Sequence, residues 1–346
     1  MIALLRRSRA ETAPFLGPDG GVLDGSIAEA GYVTLGGVRQ WVMVRGANVA
    51  NPVLIFLHGG PGFSETRLFR HFNSALEEAF TVVYWDQRGT AKSFNSAIPR
   101  ASMTVEQFLL DLDALVEDVR ARLRTERVTL FGHSWGSALG VLYAHRFPGK
   151  VAAYVGSGQV GDWPAAETAS YAYALGEAGR QRNREALKTL RAIGPPPHTA
   201  QDLWVQRTTL QRLDGQLSAG AMWRLGRIFL GGGEYSVLDL AKLLRGFKFS
   251  LDAMWSEVSR IDLNELAPRL EMPVFFFLGR QDHWVPGEIS AAYLDALDAP
   301  SKELVWFEQS GHEPFADEPE KFNASMLELV WPVARAAGRG ASLPRE

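Results

Sequence analysis

The first regular pattern along the chain is an alternation of apolar and polar residues over 32–46, interrupted by Gly36 and Gly37. Alternation with a period of two indicates strands with one buried face, and paired glycines between two such runs favour a tight turn. The pattern therefore predicts an antiparallel hairpin. Residues 1–30 lack a clear period and contain the turn sequences GPDGG and LDG, which predicts an extended lead-in.

Short and nearly continuous apolar runs replace the alternation after the hairpin. Runs of this kind are typical of strands buried on both faces of a parallel sheet. They cover residues 53–57, 81–85, 127–131, 151–155 and 273–278, and a further strand is predicted near 303–307. Segments with apolar residues three and four positions apart, at 64–79, 104–124 and 319–333, predict helices. The alternation of strands and helices predicts an α/β fold with a doubly wound, mostly parallel sheet flanked by helices.

The alternation of strands and helices stops between about residues 162 and 255. This stretch has helical periodicity, is rich in Trp, Arg, Leu and Gln, and contains GPPP and GGG. We interpret it as a helical cap inserted into an α/β core. The predicted organisation is a lead-in at 1–30, a core at 31–160 and 256–335, a cap at 161–255 and a disordered tail at 336–346.

The strongest chemical signal is the pentapeptide GHSWG at 132–136. It follows the apolar run VTLF and precedes the amphipathic segment SALGVLYAHRF, so it joins a predicted strand to a predicted helix. In this context G-x-S-x-G is typical of a nucleophile elbow, in which the serine occupies a strained turn and the glycines let neighbouring backbone pass close. The pattern predicts Ser134 as a nucleophile.

A serine hydroxyl is a weak nucleophile until a base takes its proton. Three histidines follow the predicted elbow helix. His198 lies in a proline-rich turn, and His283 lies beside Asp282. His312, in SGHEP, follows the last predicted strand, where loops gather at the carboxyl edge of the sheet. We therefore predict His312 as the general base.

The base in turn needs a carboxylate that fixes its tautomer and stabilises the imidazolium. Asp282, in GRQD, directly follows the apolar run PVFFFL and is the preferred candidate. Asp162, which follows the strand predicted at 151–155, is the second candidate, and Glu288 is a weaker third.

Two backbone N–H groups must hold the negative oxygen of a tetrahedral intermediate. Trp135, directly after the nucleophile, supplies the first, and Gly60 in HGGPG after an early strand is predicted to supply the second. We interpret His58 in the same sequence as structural. Asp86 and Arg88, in DQRG after the run TVVYW, are predicted to form a buried bracing pair.

Composition and charge exclude or disfavour several classes of function. The formal net charge is −3 without a basic surplus, which disfavours a nucleic-acid partner. The chain has no cysteine, so cysteine nucleophiles and thiolate metal sites are excluded. No metal or nucleotide motif is found, so we expect neither metal nor cofactor. Without a secretory pattern or a long apolar stretch, we expect a cytoplasmic protein and no membrane partner; the oligomeric state is left open.

HGGPG, DQRG, GHSWGS, GRQD and SGH, in this order, resemble the proline iminopeptidase (prolyl aminopeptidase) branch of the α/β-hydrolase superfamily over about residues 31–160 and 256–335. The resemblance implies an eight-stranded sheet with a helical cap, and release of an N-terminal proline. It also implies a triad and two oxyanion donors at the matching positions, which are Ser134, Asp282, His312, Gly60 and Trp135.

The chain departs from that branch at several positions. The elbow reads GHSWG where GGSWG is typical, and Ala91 stands where another glycine is usual. The family's cap glutamates, which hold the substrate's ammonium in W-E and E-N-H-Y contexts, have no clear match; Glu234 in GGGEYS stands nearest to the second. A buried ammonium requires a paired carboxylate, so this difference favours an uncharged substrate. Cap aromatics such as Trp163 and Tyr235 would suit an apolar acyl group.

The sequence therefore predicts a serine hydrolase that forms an acyl-enzyme with a small-molecule or short-peptide substrate. An aminopeptidase like the proline iminopeptidases remains open, and so does a carboxylesterase, lactonase or amidase. The alternative from another class is a catalytically inactive hydrolase fold that serves as a ligand receptor. Such a receptor normally lacks a member of the triad, whereas all three residues are present here.

Overall fold

In the computed structural model, residues 12–215, 219–231 and 233–338 of the 346-residue chain are described. Within these ranges eight strands form one sheet. The strands are β1 (Ile27–Leu35), β2 (Val38–Gly46), β3 (Val53–Leu57), β4 (Thr81–Trp85), β5 (Val128–His133), β6 (Val151–Ser157), β7 (Val274–Gly279) and β8 (Lys302–Phe307). All five apolar runs of the sequence are strands, as predicted, and so is the segment near 303–307.

The order of strands across the sheet is β1-β2-β4-β3-β5-β6-β7-β8. β1 and β2 form the predicted antiparallel hairpin, in which Ile27 pairs with Gly46. Gly36 and Gly37 at its turn have φ values of 50° and 77°, which glycine adopts without a steric penalty. β2 is also antiparallel to β4, and the remaining neighbours are parallel. The predicted mostly parallel, eight-stranded α/β sheet is confirmed.

The helices connect successive strands. They are α1 (Thr66–Asn73), α2 (Leu76–Ala79), α3 (Val105–Leu123), α4 (Trp135–Arg146), α5 (Trp163–Arg180), α6 (Arg184–Ile193), α7 (Ala200–Leu213), α8 (Ala219–Gly231), α9 (Val237–Val258), α10 (Leu263–Leu266), α11 (Gly287–Ala296), α12 (Pro314–Asp317), α13 (Pro319–Ser325) and α14 (Trp331–Gly338). A π-helical turn, Met326–Val330, joins the last two. The single helix predicted over 64–79 is divided into α1 and α2.

Both faces of the inner strands β3 to β7 are buried, whereas the edge strands β1 and β8 are partly exposed. Along β3, Leu54 and Phe56 pack into one hydrophobic cluster together with Phe69 of α1. Ile55, which points to the other face, packs into a second cluster with Leu112 of α3. Burial on both faces explains why these strands read as continuous apolar runs. Across the ranges described above, no helix is long and apolar enough to span a membrane.

Helices α5 to α9 lie between β6 and β7 in the chain and form a segment that we call the insertion (residues 163–258). Its two ends lie side by side. The Trp163 N–H donates to Ile261 O at 2.9 Å, and the Leu263 N–H donates to Gly161 O at 2.8 Å. The insertion therefore begins and ends at one place in the fold. The division into core and cap stays a prediction.

The two ends of the chain differ from expectation. β1 begins at Ile27, inside the predicted lead-in, because the strand pairs along the whole length of β2. At the other end, α14 continues to Gly338, past the predicted start of the tail at 336, and the disordered tail stays a prediction. The predictions for residues 1–11 and 339–346 lie outside the described residues.

Candidate active site

Ser134 lies in the turn between β5 and α4, at the carboxyl edge of the parallel strands. Its φ of 52° and ψ of −120° fall in a region that residues other than glycine rarely adopt. The residues of β5 and the first two turns of α4 are buried, whereas Ser134 is partly exposed. The geometry is that of a nucleophile elbow, which presents one hydroxyl at the edge of the sheet.

Gly132 and Gly136 permit the close packing around this turn. A Cβ on Gly136 would overlap the carbonyl oxygen of Leu57 at the end of β3. A Cβ on Gly132 would lie 2.5 Å from the carbonyl oxygen of Gly136. Any side chain at either position would force the strands and α4 apart, which is why the sequence has glycine on both sides of the elbow.

Asp282 and His312 meet between the loops that follow β7 and β8. The Nδ1 atom of His312 lies 2.7 Å from Asp282 Oδ2. Burial alone would raise the pKa of Asp282, but the charge of His312 and this hydrogen bond hold it below its ordinary value. An ionised Asp282 fixes the Nδ1–H of His312 toward itself and makes Nε2 the nitrogen that can accept a proton.

The elbow and the histidine loop are neighbours. The Ser134 N–H donates to Ser157 O at 3.1 Å. A Cβ on the next residue, Gly158, would lie 2.8 Å from the Cε1 atom of His312. Among the hydrogen bonds of the described residues, none joins the Ser134 hydroxyl to His312. Such bonds often form only when substrate is bound, so the arrangement is compatible with the predicted triad.

The predicted oxyanion donors flank the elbow. Trp135 is the first residue of α4, where backbone N–H groups have no partner within the helix. Gly60 has a φ of 111°, a conformation that favours glycine. The N–H of its neighbour Gly59 donates to Glu65 Oε2 at 3.1 Å and is therefore occupied. The assignment of Trp135 and Gly60 stays a prediction.

His58 joins two loops from a buried position. Its Nε2 accepts the Gln87 N–H at 3.1 Å, and its Nδ1 lies 3.0 Å from Gly59 O. Burial lowers the pKa of His58 to about 4, so the ring is neutral at pH 7. The Gln87 side chain continues the network to the Trp135 indole N–H at 2.9 Å. These contacts are structural, as the sequence indicated.

The predicted pairing of Asp86 with Arg88 is wrong. Both side chains are buried, but Arg88 forms a bidentate ion pair with Asp111 of α3, at 2.7 and 2.8 Å. Asp86 instead accepts the hydroxyls of Ser64 at 2.6 Å and Tyr235 at 2.7 Å, while burial raises its pKa to about 6. Tyr235, predicted as a substrate contact, therefore holds the insertion against this loop.

The second and third candidates for the acid, Asp162 and Glu288, lie away from His312. Asp162 accepts the Ala165 N–H at 2.9 Å and caps the N-terminus of α5. Glu288 is exposed in the first turn of α11. Among the three candidates, Asp282 is the carboxylate that is hydrogen-bonded to His312.

The other side chains of the insertion that are predicted to contact substrate, Glu234 and Trp163, already pack against or pair with other side chains of the protein. Glu234 is buried and forms an ion pair with Arg70, and Arg67 Nη1 lies 3.8 Å from its second oxygen. The ring of Trp163 is also buried and packs edge-on against Trp255, with ring centroids 5.6 Å apart. Packing accounts for these side chains, so their predicted roles in substrate binding gain no support from the geometry.

The insertion contacts the loop that carries the candidate acid. The Ser170 hydroxyl of α5 donates to His283 O at 2.6 Å, and the Tyr173 ring stacks on the His283 ring at 3.6 Å. The next residue, Trp284, has its ring 5.2 Å from that of His312. Sequence reasoning missed Trp284, although an aromatic residue two positions after Asp282 could have indicated it.

Sequence reasoning also missed Glu65 and His133. These two buried side chains are joined by a 2.7 Å contact, and the rings of His133 and His312 lie 4.8 Å apart. The available signal was the elbow itself, which has histidine at 133 where the resembling branch has glycine.

In the described part of the chain, no group of three His, Cys, Asp or Glu side chains is arranged to hold a metal ion.

Comparison with known proteins identifies the family of this fold. A family model described as the alpha/beta hydrolase fold matches residues 52–225. The chain belongs to the α/β-hydrolase fold family, which is a family of hydrolytic enzymes.

Relatives within that family carry peptidase names, which confirms the resemblance to the proline iminopeptidase branch. The probable aminopeptidase YbaC of Bacillus subtilis (strain 168) is 34% identical over 302 residues, which are 86% of this chain and 94% of that protein. A proline iminopeptidase of Neisseria meningitidis is 26% identical and covers 83% of this chain and 91% of its own length. The proline iminopeptidase-related protein of Thermus thermophilus shares the fold, with a TM-score of 0.62, 22% identity, and coverage of 90% and 98% of the two chains.

Proposed function

We propose that this protein is a serine hydrolase in which Ser134 is the nucleophile, His312 the general base and Asp282 the carboxylate that orients it. The observation that carries the proposal is the 2.7 Å hydrogen bond between Asp282 and His312, beside a serine in a strained elbow. A receptor without catalysis would need neither the strain nor a buried, ionised carboxylate behind the histidine.

The chemistry follows from these positions. Ser134 Oγ attacks the carbonyl carbon of the substrate while its proton passes to His312 Nε2. The N–H groups of Trp135 and Gly60 hold the negative oxygen of the tetrahedral intermediate. His312 then protonates the leaving group, which departs and leaves an acyl ester on Ser134. His312 then deprotonates a water molecule that attacks this ester, and it returns the proton to Ser134 Oγ as the acid is released.

The insertion would act as the cap over this centre, with the predicted bounds 161–255. Helix α9 packs directly on the loop of the predicted oxyanion donor, since a Cβ on Gly62 would lie 2.6 Å from the Ser250 Cβ. Helix α5 packs on the acid loop through Ser170. A segment that touches both loops can exclude water and shape the acyl pocket.

The favoured substrate is a small molecule or short peptide with an N-terminal aminoacyl group, proline above all. The support comes from relatives named aminopeptidase and proline iminopeptidase that align along most of their own length. The acyl-enzyme would then carry the N-terminal residue, and the shortened peptide would be the leaving group.

One observation favours a second candidate, the hydrolysis of an uncharged ester, lactone or amide. Two buried carboxylates of the insertion region already have arginine partners: Glu234 pairs with Arg70, and Glu167 pairs with Arg207. A carboxylate that is neutralised in this way attracts a substrate ammonium only weakly.

One experiment separates these candidates. Hydrolysis of proline arylamide and of short-chain aryl esters is measured with the same purified protein and with Ser134→Ala. We expect Ser134→Ala to lower kcat by about 10⁴-fold or more with the fold intact by circular dichroism. Preference for the proline amide supports the aminopeptidase, and turnover of esters alone supports the second candidate. Unchanged turnover by Ser134→Ala would refute the serine hydrolase.

A further inference from the structure

One buried ion pair joins the three loops of the candidate site, which are the loop after β3, the elbow after β5 and the loop after β8. Glu65 lies just before α1, and His133 is the residue directly before Ser134. Nδ1 of His133 lies 2.7 Å from Glu65 Oε2, and the side chains are 0% and 6% exposed. The reaction sequence described above uses neither residue, although burial of two ionisable groups at this place has a cost that needs a compensating role.

The contacts of the pair reach the backbone on both sides of the elbow. Glu65 Oε2 also accepts the Gly59 N–H at 3.1 Å, next to the predicted oxyanion donor Gly60. On the other side, His133 Nε2 donates to the carbonyl oxygen of His312 at 2.9 Å. One chain of three hydrogen bonds therefore runs from the oxyanion loop through the elbow to the general base.

These partners dictate the protonation of His133. The carbonyl oxygen of His312 can only accept, so Nε2 must carry a hydrogen. An ionised Glu65 can also only accept, so Nδ1 must carry one too, and the ring is an imidazolium. Burial alone would lower the pKa of His133, but the charge and hydrogen bond of Glu65 raise it to about 9. Conversely, burial would raise the pKa of Glu65, but His133 holds it below its ordinary value.

Other titratable groups also face His133. The ring of His312 is 4.8 Å away, and Glu313 beside it has a pKa raised by burial. His58 faces the pair from the end of β3 and is neutral at pH 7. Glu65 thus balances the charge of His133, so that the pair adds no net charge beside His312 when that base takes up a proton.

We propose that Glu65 and His133 are a positioning pair, which holds the general base and the oxyanion loop at fixed places relative to Ser134. The proposal rests on the serine-hydrolase function proposed above. Neither side chain contacts the reacting atoms; both act through the backbone of Gly59 and His312. The pair also explains the histidine at 133, where the resembling branch has glycine.

The kinetic test uses His133→Gln and Glu65→Gln with an aryl ester. We expect kcat to fall about 10- to 100-fold in both variants with KM within about threefold, because small misplacements of catalytic groups cost rates of this order. In His133→Gln the loss of a positive charge makes protonation of the nearby base easier, so the acid limb of the kcat/KM profile should move up by about one pH unit.

Arg45→Gln is the matched control. It breaks an equally buried ion pair, between Arg45 and Glu77 at 2.8 Å, away from the three loops. We expect it to lower the melting temperature while kcat and the acid limb stay unchanged. If Arg45→Gln lowers kcat as much as His133→Gln does, and the acid limb of His133→Gln stays in place, the role of the pair is merely structural and the proposal is wrong.

A second measurement does not depend on turnover. The ring ¹⁵N resonances of His133, recorded in Ser134→Ala at pH 7, should show hydrogen on both nitrogens, and on only one after Glu65→Gln is added. A bare ring nitrogen in the presence of Glu65 would overturn the proposal, as would kcat values within twofold of wild type in both variants. If Ser134→Ala retains full turnover instead, the serine-hydrolase function fails, while the resonances still report whether the pair exists.

Discussion

Only one of the two carboxylate oxygens of Asp282, Oδ2, forms a hydrogen bond with His312. The second oxygen, Oδ1, accepts the backbone N–H groups of Trp284 and Val285, each at 2.9 Å. Since both of these groups are donors, the position of Oδ1 can be filled only by an acceptor. The loop after β7 therefore fixes which atom of residue 282 faces the histidine.

This asymmetry predicts the result of Asp282→Asn. The amide oxygen would take the place of Oδ1, and the NH₂ group would face His312 Nδ1 as a donor. His312 would then carry its hydrogen on Nε2 and could not accept a proton from Ser134. We expect kcat to fall by about 10³- to 10⁴-fold with circular dichroism unchanged, measured on the better of the ester and amide substrates.

Asp162→Asn makes the same chemical change at the second candidate acid. Asn is as good an N-cap as Asp, so α5 should keep its cap and activity should stay within about twofold of wild type. Loss of activity in Asp162→Asn together with an active Asp282→Asn would transfer the role of the acid to Asp162.

The charge state of His133 predicts a pH dependence of stability. Its pKa is about 9 in the folded protein and near 6.5 when unfolded, so the unfolded state loses its proton first as pH rises. The stabilisation is complete below about pH 6.5 and is lost through pH 9. We expect the free energy of unfolding of the wild type, relative to His133→Gln, to fall by up to about 3 kcal/mol over this window in urea titrations. A constant difference across the window would mean that His133 is neutral in the folded protein.

Two glycine substitutions should have opposite effects on stability. Gly136→Ala puts a Cβ on the carbonyl oxygen of Leu57, so we expect a loss of about 3 kcal/mol or more, or failure to fold. Gly176 is exposed within α5, and a Cβ there meets nothing within 4 Å. Gly176→Ala should raise the free energy of unfolding by about 0.5–1 kcal/mol, as measured by chemical denaturation. Equal stability of the two variants would contradict the packing at the elbow.

Glu234→Gln tests whether that residue recognises an ammonium. Because Arg70 and Arg67 already surround Glu234, we expect the ratio of kcat/KM for proline arylamide and aryl ester to stay within about twofold of wild type. The melting temperature should fall, since two partly buried arginines lose their shared partner. A selective tenfold loss on the proline amide would instead restore Glu234 as the ammonium ligand.

Periodicity was sufficient to predict the frame of the site. The apolar runs at 53–57, 127–131 and 273–278 could only be strands buried on both faces, and their carboxyl ends had to meet at one edge of the sheet. The pattern therefore predicts that the residues that follow these runs, among them Ser134 and Asp282, lie near one another.

Side-chain partners inside the fold could not be predicted in the same way. Arg88 could bond any buried carboxylate, and sequence proximity suggested Asp86, yet Asp111 lies opposite it on α3. The sequence around Glu234 suggests a role in substrate binding, but its carboxylate forms an ion pair with Arg70, 164 residues earlier. Such pairings depend on how helices pack across the sheet, which the period of a single segment does not contain.

The adjacent ends of the insertion have a consequence for how this protein can change. The segment begins a few residues after the end of β6 and ends before β7, and two backbone hydrogen bonds tie residues 161 and 163 to residues 261 and 263. Whatever lies between them can be replaced without disturbing strand pairing, because its ends need no new closure. The helices from 163 to 258 contribute no strand to the sheet, and they contact the core loops through side chains such as Tyr235 and Ser170. The joined ends therefore let the sequence of this segment vary while the order and pairing of the strands are kept.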